Sequence, residues 1–257
     1  MKIIFFGSSD FVYPILKKLQ EKFEVVKIIS SPEQLNKKAI KQIKPLNPDL
    51  FVVASFGKIL SGELLKIPKL GSINIHPSLL PKYRGPSPIQ TAILNGEIKT
   101  GVSFIKMDEK VDHGPIIKQF EEPILPGDTF ATLSKRLFEK AAENLESVIN
   151  RFTKGQTDKP QDDSKTTFTK ILKRADGYID VEKPPNKQKL ERMIRAFTPW
   201  PGAWTRYCLN PQTSQKNLIK LLPNQKIQVE GRRQMSYKDF INGYPKGKFF
   251  LEKLSLI

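Results

Sequence analysis

The chain has 257 residues, 39% of them hydrophobic and 27% charged, which is enough apolar content for one large domain or two unequal ones. No apolar run approaches the length of a membrane-spanning helix, and the single cysteine, Cys208, excludes an internal disulfide and a cysteine-based zinc cluster. The formal net charge of +17 suggests a polyanionic partner, nucleic acid ahead of an anionic membrane surface, with solvated lysine-rich faces as the plainer alternative.

The opening "MKIIFFGSSDF" runs from a short apolar strand into a polar turn and reads as no signal peptide, lacking its basic and long apolar regions, while the single cysteine fits a reducing cytoplasm. "KIIFFG" has the continuous apolar character of a buried parallel strand. "SSD" offers caps to a helix over "FVYPILKKLQEKF", where Phe11, Ile15, Leu16 and Leu19 share a face and Pro14 falls in the first turn. "VVKIIS" predicts a second strand, "PEQLNKKAIKQIK" a short helix and "DLFVVASFG" a third strand. This alternation argues for a parallel sheet with right-handed crossovers. "SGELLKI" reads as a helical turn, "GSINIH" as a fourth strand and "PSPIQTAILNG" as a helix closed by glycine. "KTGVSFIKMD" and "GPIIKQFEEPI" form a strand pair, followed by the long amphipathic helix "TFATLSKRLFEKAAENLESVINRF". The polar stretch at 153–167 lacks periodicity and reads as a linker. Beyond it, "NKQKLERMIRAFTPWPGAW" predicts a helix broken by Pro199, and "LIKLLP", "KIQVEG" and "KFFLEKL" predict the strands of a small barrel or sandwich. Residues 170–257 hold 18 Lys and Arg against 7 Asp and Glu, a local excess of +11 that favours a nucleic-acid-binding C-terminal part.

The first turn, "GSSDF", lacks the second and third glycines of a dinucleotide-binding loop, and neither a phosphate-binding P-loop nor a G-x-S-x-G elbow occurs. Two histidines without helical spacing give no metal site. A more promising constellation starts from "INIH": residues two apart on a strand project to one side, so Asn74 and His76 point together at a strand's C-terminal end. With Asp112 in "DEKVDHG" they would supply an amide, an imidazole and a carboxylate, a set suited to moving an acyl-like group onto an amine. Spacing alone does not bring Asp112 to that pair, and an Asn-x-His pair also serves a loop's own hydrogen bonding. His113 reads as an exposed turn residue.

"GSINIHPSLLPKYRGPSPIQTAILNG", followed by "GVSFIKMDEKVDHGPII", resembles the formyltransferase family that uses 10-formyltetrahydrofolate. That family's Asn, His and Asp fall on Asn74, His76 and Asp112. "GSSDF" is similar to its opening Gly-Thr-Pro-Asp-Phe turn, and "ASFGKIL" to its Ala-Tyr-Gly-x-Ile-Leu segment. "RGPSPIQTAI" points to the branch that acts on methionyl-tRNA, and "DGYIDVEKPPNKQKLERMIRAFTPWPGAW" resembles that branch's second domain, with Val181 in place of its usual Trp. The similarity spans nearly the whole chain.

The resemblance implies an α/β architecture: a Rossmann-like catalytic domain with a mainly parallel sheet over 1–152, a linker over 153–170, and a smaller OB-like β-barrel that binds tRNA over 171–257. The implied reaction moves a formyl group from 10-formyltetrahydrofolate to the α-amine of initiator methionyl-tRNA, on a cytoplasmic monomer with no metal and no membrane partner. Asn74 would polarise the formyl oxygen, His76 stabilise the tetrahedral intermediate, and Asp112 orient His76 and assist deprotonation. The folate would lie along Phe56, Gly57, Ile59, Leu60, Ser78, Leu79, Leu80, Pro81 and Val111, largely against backbone. Expected tRNA contacts are Lys37, Lys38, Lys41, Arg84, Arg195, Arg232 and Arg233. The family's long basic loop after the second strand is absent here, since only about one helix fits between Ser30 and Asp49. The alternative is an amino-sugar nucleotide N-formyltransferase, which shares the Asn/His/Asp set but has no use for a basic extension.

Overall fold

The computed structural model describes residues 1–35, 37–156 and 160–257, with only the backbone of Lys37, so the middle of the expected linker lies outside the described residues. The chain forms two compact units. The first comprises Met1–Pro88, Ile98–Pro123 and Ser134–Lys170, and the second Ile89–Glu97, Ile124–Leu133 and Ile171–Ile257.

In chain order the first half contains β1 (Lys2–Phe6), α1 (Tyr13–Lys22), β2 (Glu24–Ile29), α2 (Lys37–Ile43), β3 (Leu50–Ala54), α3 (Gly62–Leu65), β4 (Ser72–His76), α4 (Pro88–Asn95), β5 (Lys99–Lys106), β6 (Ile116–Pro123) and α5 (Phe130–Thr153). The six strands make one Rossmann-like sheet in the order β2-β1-β3-β4-β5-β6. The pairings β2–β1, β1–β3 and β3–β4 are parallel, and β5 and β6 close the sheet antiparallel. The apolar runs of β1 and β3 are buried on both faces, as strands covered on both sides require. Ser9 starts the first helical segment by accepting the Phe11 N–H, and Pro14 sits where a missing N–H costs little. Between β2 and β3 the described residues form α2 and two short 3-10 turns, Pro32–Gln34 and Lys44–Leu46, in keeping with the short connection read from the sequence.

One layer of the core gathers Ile4, Phe6, Ile29, Ile43, Phe51 and Val53 under the sheet. Phe6 packs edge-on against Phe51 and Phe56, at ring separations of 5.0 and 5.5 Å. The strand order reverses between β1 and β3, the position at which open α/β sheets bind ligands beyond their strand ends. The segment Phe56–Leu60 follows β3 at that edge, and Asn74 and His76 end β4 beside it.

The second unit carries α6 (Lys187–Phe197), β7 (Ala203–Tyr207), β8 (Asn217–Leu222), β9 (Lys226–Val229), β10 (Met235–Ser236), α7 (Tyr237–Gly243) and α8 (Gly247–Lys253). Its strands form a four-stranded antiparallel meander. Asn186 caps α6, whose Leu190, Met193, Ile194 and Phe197 are buried. "KFFLEKL" is helical rather than a strand. Phe250, Leu251 and Leu254 are the buried positions, and their spacing of one and four residues fits a helical turn but not a strand's alternation.

Glu122 of β6 is clasped by two cations of α5, at 2.6 Å from Lys140 Nζ and 3.1 Å from Arg136 Nε. Burial acts to raise its pKa, but the hydrogen bonds and charges of Lys140 and Arg136 win and hold it below the ordinary carboxylate range. A lowered folded-state pKa means stability that is present above the unfolded carboxylate pKa and is lost as pH falls through the folded one. Glu122→Gln is therefore expected to lower Tm at neutral pH, with the gap to the parent protein closing on acidification. A gap independent of pH would show that the carboxylate's charge contributes nothing.

Candidate active site

The strand period puts Asn74 and His76 on one side of β4, while Ile73 and Ile75 fill the core on the other. Asp112 arrives from the turn between β5 and β6, where Gly114 packs so closely on the Lys106 carbonyl that any Cβ would overlap it. Its carboxylate joins three segments. Asp112 Oδ1 accepts from the Asn74 amide at 2.9 Å, and Oδ2 accepts from the Gly85 N–H at 2.8 Å. The same Oδ2 faces His76 Nδ1 at 3.4 Å. His76 Nε2 lies 2.9 Å from the Tyr83 carbonyl, so that nitrogen carries the proton and donates it. His76 is 4% exposed, whereas Asn74 and Asp112 keep partial access to solvent.

Three residues of this cluster sit in the left-handed region: Tyr83 at φ 65°, Gly85 at φ 111° and Asp112 at φ 47°. Such backbone persists where surrounding bonds over-determine it. The supporting bonds come from residues 161–169. Arg84 N–H donates to the Thr167 carbonyl at 2.9 Å, Thr169 N–H to the Arg84 carbonyl at 2.7 Å, and Tyr83 N–H to Thr167 Oγ1 at 2.8 Å. The segment read as a solvated linker thus follows the 83–87 loop as a strap, its polar side chains satisfying that loop's backbone. Local sequence carries no signal of this, since the same polar composition serves a linker.

The expected folate residues divide. Ile59 is 68% exposed and Val111 42%, on the rim of the sheet's edge. Gly57 has φ 73°, and Lys58 Nζ ties this loop to the Pro32 and Leu35 carbonyls. Phe56 and Leu60 instead belong to the core, and Ser78 and Leu80 are buried. Ser78 Oγ donates to the Lys82 carbonyl. Ser103 and Gln119 hold the backbone of Ser78 and Leu80. These four side chains form scaffold rather than an open lining; Leu79 and Pro81 remain partly exposed.

The expected tRNA contacts also divide. Arg84 is 4% exposed, its guanidinium held by Gln161 Oε1 and Asp163 Oδ1, so it offers no surface charge. Arg195 is partly buried and donates to the Asp128 carbonyl. Lys38, Lys41, Arg232 and Arg233 are exposed, and the Lys37 side chain lies outside the described residues. His113, expected to be an exposed turn residue, is half-buried and paired with Asp108 at 2.6 Å. Among the described residues, no group of three or more His, Cys, Asp or Glu is arranged to hold a metal ion.

The model of the formyl transferase family matches residues 13–149. A methionyl-tRNA formyltransferase from Roseiflexus sp. (strain RS-1) is 37% identical over 240 residues, covering 80% of this chain and 73% of that protein. One from Geobacter metallireducens is 32% identical over 301 residues, covering 95% of this chain and 96% of that protein. Among solved structures, HypX from Aquifex aeolicus in complex with tetrahydrofolic acid shares the fold at a TM-score of 0.70 and 16% identity. It covers 98% of this chain and 47% of that one.

Gly85 is held where a side chain cannot go: an added Cβ would stand 2.8 Å from Thr169 Oγ1 and 3.0 Å from the Thr169 carbonyl oxygen. Gly85→Ala is expected to destabilise the fold by about 1–3 kcal/mol, read from the urea midpoint. A variant as stable as its parent would mean the loop is not constrained as described.

Proposed function

We infer the reaction from lineage: the chain belongs to the formyltransferase family, among the methionyl-tRNA formyltransferases. It transfers a formyl group from 10-formyltetrahydrofolate to the α-amino group of methionyl-tRNA. The convergence of Asn74 and His76 on the Asp112 carboxylate is the observation that supports these three as the catalytic residues.

In the reaction the amine nitrogen bonds to the formyl carbon, the bond from that carbon to the folate nitrogen breaks, and the proton that the amine loses is balanced by one taken up on the leaving folate nitrogen. Asn74 has two amide hydrogens and gives one to Asp112, which leaves the second to bind the formyl oxygen as it gains charge. His76 has its Nε2–H committed to Tyr83, so it acts through its place beside Asp112. Asp112, partly open to solvent, takes the amine's proton directly or through one water. The folate lies along the edge marked by Gly57, Ile59, Leu79, Pro81 and Val111, the candidates that retain exposure, and its backbone contacts there position the donor.

Residues 171–257 form the tRNA-binding domain, OB-like in its antiparallel meander. Its excess of positive charge, the exposed Arg232 and Arg233, and a cavity of about 280 Å³ lined by Arg174, Lys220 and Gln228 favour this reading. Tyr178 is 47% exposed and packs on Trp204, an aromatic surface of the kind on which bases stack. Lys38 and Lys41 on α2 take the place of the family's longer basic loop. The protein works as a monomer in the cytoplasm, where its aminoacyl-tRNA is made.

The decisive assay offers initiator methionyl-tRNA, elongator methionyl-tRNA and an amino-sugar nucleotide side by side with 10-formyltetrahydrofolate. Transfer to methionyl-tRNA is expected, and transfer to the sugar alone would overturn the assignment of the second unit. Asn74→Ala should reduce kcat by about 10²–10³, the usual effect of losing one oxyanion donor. Replacing Arg232 or Arg233 by Ala should lower the slope of log affinity against log salt by about one for each phosphate that the side chain no longer neutralises. An unchanged slope would remove these arginines from the tRNA interface.

A further inference from the structure

We propose that Gln161 is a positioning residue for formyl transfer, its amide fixing the left-handed turn that presents the Asp112 carboxylate. This rests on the catalytic reading above but concerns a residue outside the motifs that carry the family resemblance, one whose amide is wholly engaged with protein groups. Gln161 Nε2 donates to the Asp112 carbonyl and to the Gly114 carbonyl, both at 2.8 Å. Its Oε1 accepts from Arg84 Nε at 3.1 Å and from Arg84 Nη2 at 2.8 Å. Both amide hydrogens and both acceptor positions are thereby used. The orientation of the amide is unambiguous, because turning it over would set its oxygen against two carbonyls and its NH₂ against a guanidinium.

The placement explains why one side chain could govern the site. Asp112 has φ 47°, and its carboxylate reaches Asn74, Gly85 and His76 only while that backbone is held. The carbonyls of Asp112 and Gly114 bracket the turn, and Gln161 bonds both. On its other side Gln161 grips the side chain of Arg84, which lies between Tyr83, the acceptor for His76 Nε2, and Gly85, a donor to Asp112. One amide thus links the two loops that set the relation of His76 to Asp112. The buried Arg84 guanidinium is the strap's anchor, further secured by Asp163 at 2.9 Å.

Two variants separate this role from simple anchoring. Gln161→Glu keeps the shape and strengthens the pairing with Arg84, but it removes both donors and sets an anionic oxygen against the two carbonyls. Gln161→Ala removes everything beyond Cβ. Both are expected to lose about ten- to a hundredfold in kcat, with KM for methionyl-tRNA and for 10-formyltetrahydrofolate within about twofold of the parent, as a small displacement of a catalytic group would give. Gln161→Glu with the parent's kcat would overturn the proposal, as would a loss confined to KM. A readout free of any substrate accompanies the kinetics. The chain has two histidines, so the ring ¹⁵N shifts of His76 are readily assigned. They should move in both folded variants as Asp112 leaves Nδ1. Unchanged His76 ring shifts in folded Gln161→Glu would sink the proposal whatever the substrate proves to be. Moved shifts in a protein that formylates only a sugar would sustain the positioning role and reject the tRNA assignment.

Discussion

The site depends on a single carboxylate that is shared. Asp112 has two oxygens and serves three segments: the end of β4 through Asn74 and His76, the 83–85 loop through the Gly85 N–H, and its own turn. None of those segments holds the geometry alone. β4 fixes only the spacing of Asn74 and His76, and the two loops carry the left-handed residues Tyr83, Gly85 and Asp112. Charge-assisted hydrogen bonds are the stronger class, and here they offset backbone that would otherwise relax. Pre-organisation of this kind suits the role proposed for Asp112 as proton acceptor, because the cost of orienting it is met in folding and not during the reaction.

A second consequence follows from where the support comes from. The β4–α4 loop and the β5–β6 turn are far apart in sequence, and each is too short to build a core of its own. Residues 161–169 supply the missing partners with backbone and hydroxyl groups. Arg84 illustrates the trade. A guanidinium in a polar loop would ordinarily point to water, since burying an isolated cation is costly. Here Gln161 and Asp163 match its planar fork, and burial becomes the favoured state.

That trade also marks where reading the sequence alone stops. The parallel strands and the pairing of Asn74 with His76 follow from apolar runs and the two-residue period, which are local. The bringing of Asp112 to them is tertiary, and only the family resemblance points to it. Arg84 departs from its expected surface role because exposure depends on partners more than seventy residues away. Phe56, Leu60, Ser78 and Leu80 invite a ligand-surface reading because their segments follow strand ends at the sheet's edge. A segment at a sheet's edge must also pack inward, however, and these are the residues that do so. "KFFLEKL" misleads through its adjacent phenylalanines, which suit a strand by propensity but are placed by the helical spacing of Phe250 and Leu254.

The basic character of the chain is compatible with a small catalytic centre because the two tasks use different residues. Formyl transfer needs a few converging polar groups at a sheet's edge, whereas holding a tRNA needs charge spread over a wide surface. Among the described residues the connection from β2 to β3 holds α2 and two short turns, so the first unit presents a helix with Lys38 and Lys41 there. The larger excess of positive charge lies in residues 170–257, with 18 cations against 7 anions. Binding energy gathered far from the reacting atoms can still serve catalysis when it is used to hold the amine in register with the bound donor. On the function proposed above, a chain with a short connection after β2 that keeps Asn74, His76 and Asp112 places the demand for affinity on its second unit, and leaves the demand for geometry on the strap and the Asp112 carboxylate.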